Sequence, residues 1–285
     1  MLLNKLLDGK LVSEKIRAVL KEKTKILMQN KGIIPKLAIV IVGNNPASLI
    51  YVASKEKACA EVGFQSITLA LSEEVTQEEI IAEIKSLAAD KTVNGIMLQL
   101  PLPKGFNESE ILSHIPAEKD VDGLTVLSGG ACLYSQDGFT PCTPRGIIEI
   151  LEHYGVEFSG KHAVVVGRSN LVGKPIAIKL LEKNCTVTMC HSRTTDLKAI
   201  TKQADILVVA VGRKYLITSD MVKTGAVVVD VGINRVDGKL YGDVDFEGVL
   251  EVASLITPVP CGIGPMTVAM LLENTFDACI KQNLG

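Results

Sequence analysis

The chain predicts an α/β fold built as two α/β domains. Three observations carry this. From Lys36 to Leu100, apolar strand-like runs alternate with helical stretches in βαβαβ order. From Lys161 a second series of βα alternation begins. Between the two, Ser128 to Thr143 shifts to Gly, Ser, Cys and Pro, the composition of a loop or boundary. The βαβ order implies parallel sheets. Two α/β lobes, 1–143 and 144–265, with a cleft between them, is the simplest architecture. The last helix, within 266–285, is able to pack back on the first lobe.

Each element has its own signal. Lys10 to Asn30 places Leu11, Ile16, Val19, Leu20, Ile26 and Leu27 at helical spacing, and Gly32 and Pro35 stop it. Lys36 to Val42 (KLAIVIV) is a continuous apolar run, the kind buried on both faces of a parallel sheet. Gly43 to Pro46 is a turn, Ala47 to Val62 a helix, and Gly63 its stop. Gln65 to Leu71 alternates as a strand. Thr76 to Glu79 (TQEE) is a capping box that opens a helix to Ala89. Gly95 to Leu100 is the next strand, stopped by Pro101 and Pro103. Asn107 to Ile115 is a short helix and Lys119 to Leu124 a turn-rich segment. Pro144 fits the first turn of a helix, Arg145 to Tyr154. The second series has strands at Ala163–Val166, Thr186–Cys190, Asp205–Val211, Ala226–Val231 and Ser254–Ile256. Pro258 to Pro265 is a Pro/Gly loop, and Met266 to Gln282 the final helix.

Composition excludes several function classes. The chain has 285 residues, enough for a substantial core, with 47% hydrophobic and 22% charged residues, as in ordinary globular proteins. A net charge of −2 gives no electrostatic case for nucleic acid or an anionic membrane. No apolar run approaches the ~18 residues of a membrane span. The N-terminus is broken by Asn4, Lys5 and Asp8, which makes a poor signal peptide. Seven cysteines lie scattered with no C-x-x-C pair, the usage of reduced thiols in a cytoplasmic protein. His114, His153, His162 and His191 have no metal-ligand spacing, so no metal is expected.

The stretch His162 to Ala177 (HAVVVGRSNLVGKPIA) reads as strand, tight turn and helix. Such a turn aims N–H groups and the positive end of a helix at an anion. Gly167, Arg168, Ser169 and Gly173 depart from G-x-G-x-x-G, with Ser169 at the middle Gly. A lone Gly-rich turn is equally read as structural punctuation, but here strand and helix flank it and more strands follow. That favours a Rossmann-type dinucleotide site. An NAD site places a carboxylate ~20 residues on, against the ribose. Here the next strand runs into His191, Ser192 and Arg193. A hydroxyl and a guanidinium there, with Arg168 in the turn, suit a 2′-phosphate and favour NADP. The plainer reading of Arg193 is a solvated surface residue.

Tyr51 and Lys55, four apart, share one helix face. A phenol beside a desolvated amine can move protons; the plainer reading is a packed Tyr and a surface Lys. Short-chain dehydrogenases use the same spacing, but after the dinucleotide turn; here it precedes the turn, so that family does not fit. Gln99 ends a strand, where parallel-sheet ligand sites form, and its amide could hold Lys55. Asp120 and Asp122 flank Val121 as a metal or acid pair, without further ligands nearby in sequence.

Taken together, the motifs resemble the bifunctional methylenetetrahydrofolate dehydrogenase/cyclohydrolase family along essentially the whole chain. They are VGNNPASLIYVASKEKAC from Val42, GIMLQLPLP from Gly95, KDVDGL from Lys119, PCTPRG from Pro141, VVGRSNLVGKP from Val165, CHSRT from Cys190, VDVGIN from Val229, GDVDF from Gly242 and TPVPCGIGPMT from Thr257. One departure is Cys261, where the family usually has Gly. The resemblance implies an N-terminal folate-binding catalytic domain, a C-terminal NADP-binding domain and a homodimer. It implies Lys55 as the central catalytic group, Tyr51 as the residue stacking on the folate rings, Gln99 as the orienter of Lys55, and Asp122 as acceptor for the pterin. Gly167, Arg168, Ser169, Ser192 and Ile233 are implied to bind NADP. The implied reaction oxidises 5,10-methylenetetrahydrofolate and hydrolyses the methenyl product. Two other readings are another two-lobed NADP dehydrogenase, similar to shikimate dehydrogenase, and a dinucleotide sensor without turnover. Intact Lys55, Gln99 and Asp122 oppose the sensor.

Overall fold

The computed structural model describes residues 5–284, which divide into two units, each around its own parallel sheet. In chain order the elements begin with α1 (Gly9–Lys31), β1 (Lys36–Val42), α2 (Pro46–Val62), β2 (Gln65–Leu71), α3 (Gln77–Ala89), β3 (Gly95–Leu98), α4 (Glu108–Leu112) and α5 (Val126–Leu133). They continue with α6 (Cys142–His153), β4 (His162–Val166), α7 (Gly173–Glu182), β5 (Thr186–Cys190), α8 (Leu197–Thr201), β6 (Ile206–Val209) and β7 (Val227–Asp230). The hairpin β8 (Asn234–Val236) and β9 (Lys239–Tyr241), α9 (Phe246–Val252), β10 (Leu255–Ile256) and α10 (Ile263–Leu284) complete the fold.

The first unit holds 14–142 and 268–284, with strand order β2-β1-β3, all parallel. β1 is central, and its alternation splits the core. Leu37, Ile39 and Ile41 pack with Val52 and Cys59 of α2 and with Ala269, Met270 and Leu272 of α10. Ala38, Val40 and Val42 pack with Ile80 and Ile84 of α3 and Ile111 of α4. A strand buried on both faces explains the unbroken apolar run of β1. α3 opens on a reciprocal capping box: Glu79 N–H donates to the Thr76 hydroxyl at 3.2 Å, and Thr76 N–H donates to Glu79 Oε2 at 2.8 Å. Lys119 Nζ donates to the carbonyls of Ala88 and Asp90 at 2.8 and 2.7 Å, closing the other end of α3.

The second unit holds 5–13 and 143–267, with order β10-β7-β6-β4-β5, again all parallel. Leu7 N–H donates to Ile256 O at 2.9 Å, so the start of the described chain packs with this sheet. The sheet core runs through Val164, Val166, Leu207, Val209 and Val228. Among the described residues no helix is long and apolar enough to cross a membrane.

Three element readings need correction, and one element went unread. The loop read over Ser128–Thr143 contains most of α5. Its cap is Thr125, whose hydroxyl accepts from Ser128 N–H at 3.2 Å, and two glycines hid the helix. The Pro258–Pro265 loop ends early, because α10 starts at Ile263 and Pro265 sits in its first turn, where its missing N–H costs nothing. Strand β3 stops at Leu98, which leaves Gln99 just beyond it. The β8–β9 hairpin carried no apolar alternation strong enough to be read.

Candidate active site and cofactor site

In the first unit, α2 is fixed at its start by Asn45, whose side-chain oxygen accepts from Ala47 and Ser48 N–H. Its buried positions are Ser48, Val52, Lys55, Ala58, Cys59 and Val62, one stripe at helical spacing. Lys55 therefore lies on the core-facing stripe, between Val52 and Cys59. Only 8% of it reaches solvent, while Tyr51, one turn earlier, is exposed. The plainer reading of Lys55 as a surface residue does not hold.

Lys55 Nζ donates to Gln99 Oε1 at 2.9 Å. Gln99 Nε2 donates to its neighbour's carbonyl, Leu100 O, at 2.7 Å, so the amide oxygen is the end turned to the amine. Burial holds the Lys55 amine below the ordinary lysine value, opposed by the negative charge of Asp122 and by Cys142. Asp122 is shifted upward, mainly by burial, against the Lys55 cation and a hydrogen bond with Cys142. Lys55, Gln99 and Asp122, expected from sequence, thus come together.

Asp120 belongs elsewhere. Its carboxylate accepts from Leu124 N–H at 3.1 Å, Thr125 N–H at 2.8 Å and the Ser128 hydroxyl at 2.6 Å. These bonds make it the anchor of the segment leading into α5, while its negative charge adds to the upward shift of Asp122. Among the described residues no group of three His, Cys, Asp or Glu could hold a metal.

Two contributors were not among the residues expected from sequence. Cys142 opens α6, and its thiol donates to Val121 O at 3.3 Å. Asn274 of α10 is buried; its Nδ2 donates to Val121 O at 2.8 Å and to Thr140 O at 3.3 Å, 3.6 Å from the Cys142 sulfur. Together they hold the backbone beside Asp122. Residues this far apart in sequence show no spacing pattern, and only the presence of Cys142 in PCTPRG hinted at a role.

In the second unit the parallel strands end in a row: β5 at 191–193, β4 at 167–169, β6 at 211–213 and β7 at 231–233. Gly167 has φ +128°, and a Cβ there would lie 2.3 Å from Ala210 O. Only glycine lets the β4 turn press against the end of β6. The Ser169 hydroxyl accepts from Val172 and Gly173 N–H at 3.2 and 3.3 Å, so it closes the turn itself and keeps its own proton to donate outward. Arg168, Ser169, Ser192, Arg193 and Ile233 are all exposed. At the β5 tip, His191 Nδ1 accepts from Arg193 N–H at 3.1 Å, and His191 N–H donates to the Thr194 hydroxyl at 2.8 Å. His191 therefore shapes the loop that presents Ser192 and Arg193. A glycine-tight turn beside two exposed arginines and two exposed hydroxyls fits a phosphorylated dinucleotide.

A family model described as the tetrahydrofolate dehydrogenase/cyclohydrolase catalytic domain matches residues 7–122, and the corresponding NAD(P)-binding domain matches residues 141–283. A bifunctional protein FolD of Streptococcus agalactiae is 51% identical over 280 residues, which is 98% of this chain and 99% of that protein. A crystal structure of a FolD methylenetetrahydrofolate dehydrogenase/cyclohydrolase from Campylobacter jejuni superposes with TM-score 0.95 at 50% identity, covering 97% and 98% of the two chains. The Trypanosoma brucei enzyme, solved with NADP and an inhibitor, superposes with TM-score 0.93 at 36% identity, covering 98% of both. A shikimate 5-dehydrogenase of Thermus thermophilus reaches TM-score 0.53 at 17% identity, a likeness of fold alone.

Proposed function

The chain belongs to the tetrahydrofolate dehydrogenase/cyclohydrolase family, and on that premise we propose how its residues divide the work. The enzyme oxidises 5,10-methylenetetrahydrofolate with NADP and hydrolyses the 5,10-methenyl product to 10-formyltetrahydrofolate. The observation that carries this reading is Lys55, buried, held by Gln99 and charge-coupled to Asp122. The unit of β1 to β3 is the folate-binding catalytic domain, and the five-stranded unit binds NADP.

When bound, NADP supplies the hydride acceptor for the one-carbon bridge. The remaining chemistry belongs to the protein. Tyr51 offers an exposed ring for stacking on the folate rings. Asp122 accepts hydrogen bonds from the pterin and fixes its orientation. Hydrolysis needs a proton acceptor at neutral pH. Burial favours the neutral amine of Lys55, which takes a proton as water adds to the methenyl carbon. The resulting ammonium returns a proton to the ring nitrogen as the carbon–nitrogen bond breaks, and the carbinol hydroxyl gives up its proton to solvent as its oxygen becomes the carbonyl, leaving the formyl group on the other nitrogen. Net, one water is consumed and one proton released. Gln99 keeps the amine aimed through both transfers. Gly167, Arg168, Ser169, Ser192 and Ile233 bind NADP, with Arg168 and Ser192 at the 2′-phosphate. The chain acts as a cytoplasmic homodimer, a reading supported by the family resemblance and testable by sedimentation.

The deciding experiment mixes the protein with 5,10-methylenetetrahydrofolate and NADP and follows methenyl absorbance. Expected is formation followed by decay to the 10-formyl product. Absence of methenyl formation overturns the dehydrogenase, and a stable methenyl product overturns the cyclohydrolase.

A further inference from the structure

The segment Gly242–Phe246 (GDVDF) has no part in the chemistry above, yet it holds the most heavily bonded carboxylate of the second unit. Asp243 is fully buried. Its Oδ2 accepts from Val211 and Gly212 N–H at 2.7 and 2.9 Å. Its Oδ1 accepts from Arg213 N–H at 2.7 Å and from Asn234 Nδ2 at 2.9 Å. Three consecutive backbone N–H groups form an anion-binding nest, and the anion is the protein's own. Three donors come from the loop leaving β6, and the fourth from the first residue of β8, where the loop leaving β7 ends.

Asp243 is itself held by a second buried carboxylate. Its N–H donates to Asp230 Oδ1 at 2.9 Å, where Gly232 N–H also donates at 3.0 Å. Val244 N–H donates to Asp230 Oδ2 at 2.9 Å. The approach is close enough that a Cβ on Gly242 would sit 1.7 Å from Asp230 Oδ2.

The sheet order gives these loops a meaning. Ligands of parallel sheets bind outside the carboxyl ends of the strands. Along β7-β6-β4-β5, the exposed Ser192 and Arg193 end β5 and the Gly167 turn ends β4. A dinucleotide with its 2′-phosphate at β5 and its pyrophosphate at β4 extends its other half over β6 and β7. Those are the two loops that Asp243 ties together, and Ile233 is exposed on one of them. We infer that Asp243 is the positioning residue for the nicotinamide half of the cofactor site, holding the 211–213 and 231–234 loops in the shape that half requires. This rests on the NADP-dependent reading proposed above.

The test separates the two halves of the ligand. Asp243→Asn keeps the size but replaces one acceptor oxygen with an amide that faces N–H donors. Binding of NADP and of 2′,5′-ADP is measured by calorimetry on the wild type and the variant. Expected is at least a tenfold weaker NADP with 2′,5′-ADP within twofold of wild type. A general loss of structure weakens both ligands together, and that outcome overturns the proposal, as does unchanged NADP affinity. If Asp243→Asn does not fold, Asn234→Ala decides, since it removes one donor and leaves three. There NADP weakens about threefold and 2′,5′-ADP does not; unchanged NADP binding overturns the proposal. A wild type that binds no NADP brings down the functional reading and this inference with it. A wild type that binds NADP beside an unaffected variant removes Asp243 alone.

Discussion

The surroundings of Lys55 and the strand tips of the five-stranded sheet use charge in opposite ways. Lys55 is taken out of water, held by one amide, and set against one carboxylate. Arg168 and Arg193 stand in solvent on tight turns. Burial changes what a group is: it shifts a lysine toward a neutral base that can take protons. Exposure on a rigid turn leaves a guanidinium fully charged and free to meet a phosphate. One region is built for proton transfer and the other for recognition. Mutations in the two should therefore fail in different ways.

The largest effect is expected at Lys55. Lys55→Met keeps the stem in its apolar stripe and removes the amine. The cyclohydrolase rate should fall about 10³-fold, the scale of a lost general acid–base group. Thermal stability should fall, because the buried Asp122 carboxyl loses its charge partner and Gln99 Oε1 its donor. Near-normal hydrolysis of methenyltetrahydrofolate by this variant would remove Lys55 from the role.

Arg168→Ala and Ser192→Ala probe the other region. Each removes a hydrogen bond to a charged phosphate, on the order of 1.5–3 kcal/mol, or roughly 10–100-fold in affinity. The KM for NADP should rise by that factor while any use of NAD changes little. Equal losses for both dinucleotides would mean that the strand tips do not read the 2′-phosphate. The hydrolysis of added methenyltetrahydrofolate, which needs no dinucleotide chemistry, should be unaffected.

How much of this contrast could be read in the sequence differs between its halves. The βα order, the Gly167 turn and the Ser192–Arg193 tip were legible, because strand–turn–helix signals are local. Lys55 was legible through its spacing from Tyr51 and through the family motif around it; its burial was not, since one lysine in an apolar stripe looks like a lysine on its edge. Asn274 was illegible and Cys142 visible only as a letter of PCTPRG, because Val121, Cys142 and Asn274 meet only in three dimensions. The α5 helix was missed through its paired glycines, and the anchoring role of Asp120 was illegible because its carboxylate turns back on its own loop.

A smaller effect sharpens the proton-transfer side. Asp122 raises the Lys55 pKa through its negative charge, while burial lowers it. Asp122→Asn removes the raising influence and leaves the burial. The Lys55 pKa should then fall further, and the cyclohydrolase rate, which grows as the amine loses its proton, should reach its plateau at lower pH than in wild type. The measurement is the pH profile of methenyltetrahydrofolate hydrolysis at saturating substrate. A profile displaced toward higher pH would contradict the coupling.

The smallest effect tests whether the second unit carries strain apart from its function. Cys261 is exposed and has φ +80°, the left-handed region that favours glycine. That conformation costs an L-residue ~1–2 kcal/mol, and glycine would remove the cost. Glycine also loses more freedom on folding, which offsets ~0.5–1 kcal/mol of the gain. Cys261→Gly should therefore stabilise the chain by roughly 0.5–1 kcal/mol, or about 2 °C in Tm by calorimetry. The backbone carbonyl of residue 261, which accepts from Lys10 N–H at 3.0 Å, survives the change. A Tm that falls would show that the thiol makes packing contacts worth more than the backbone strain it imposes.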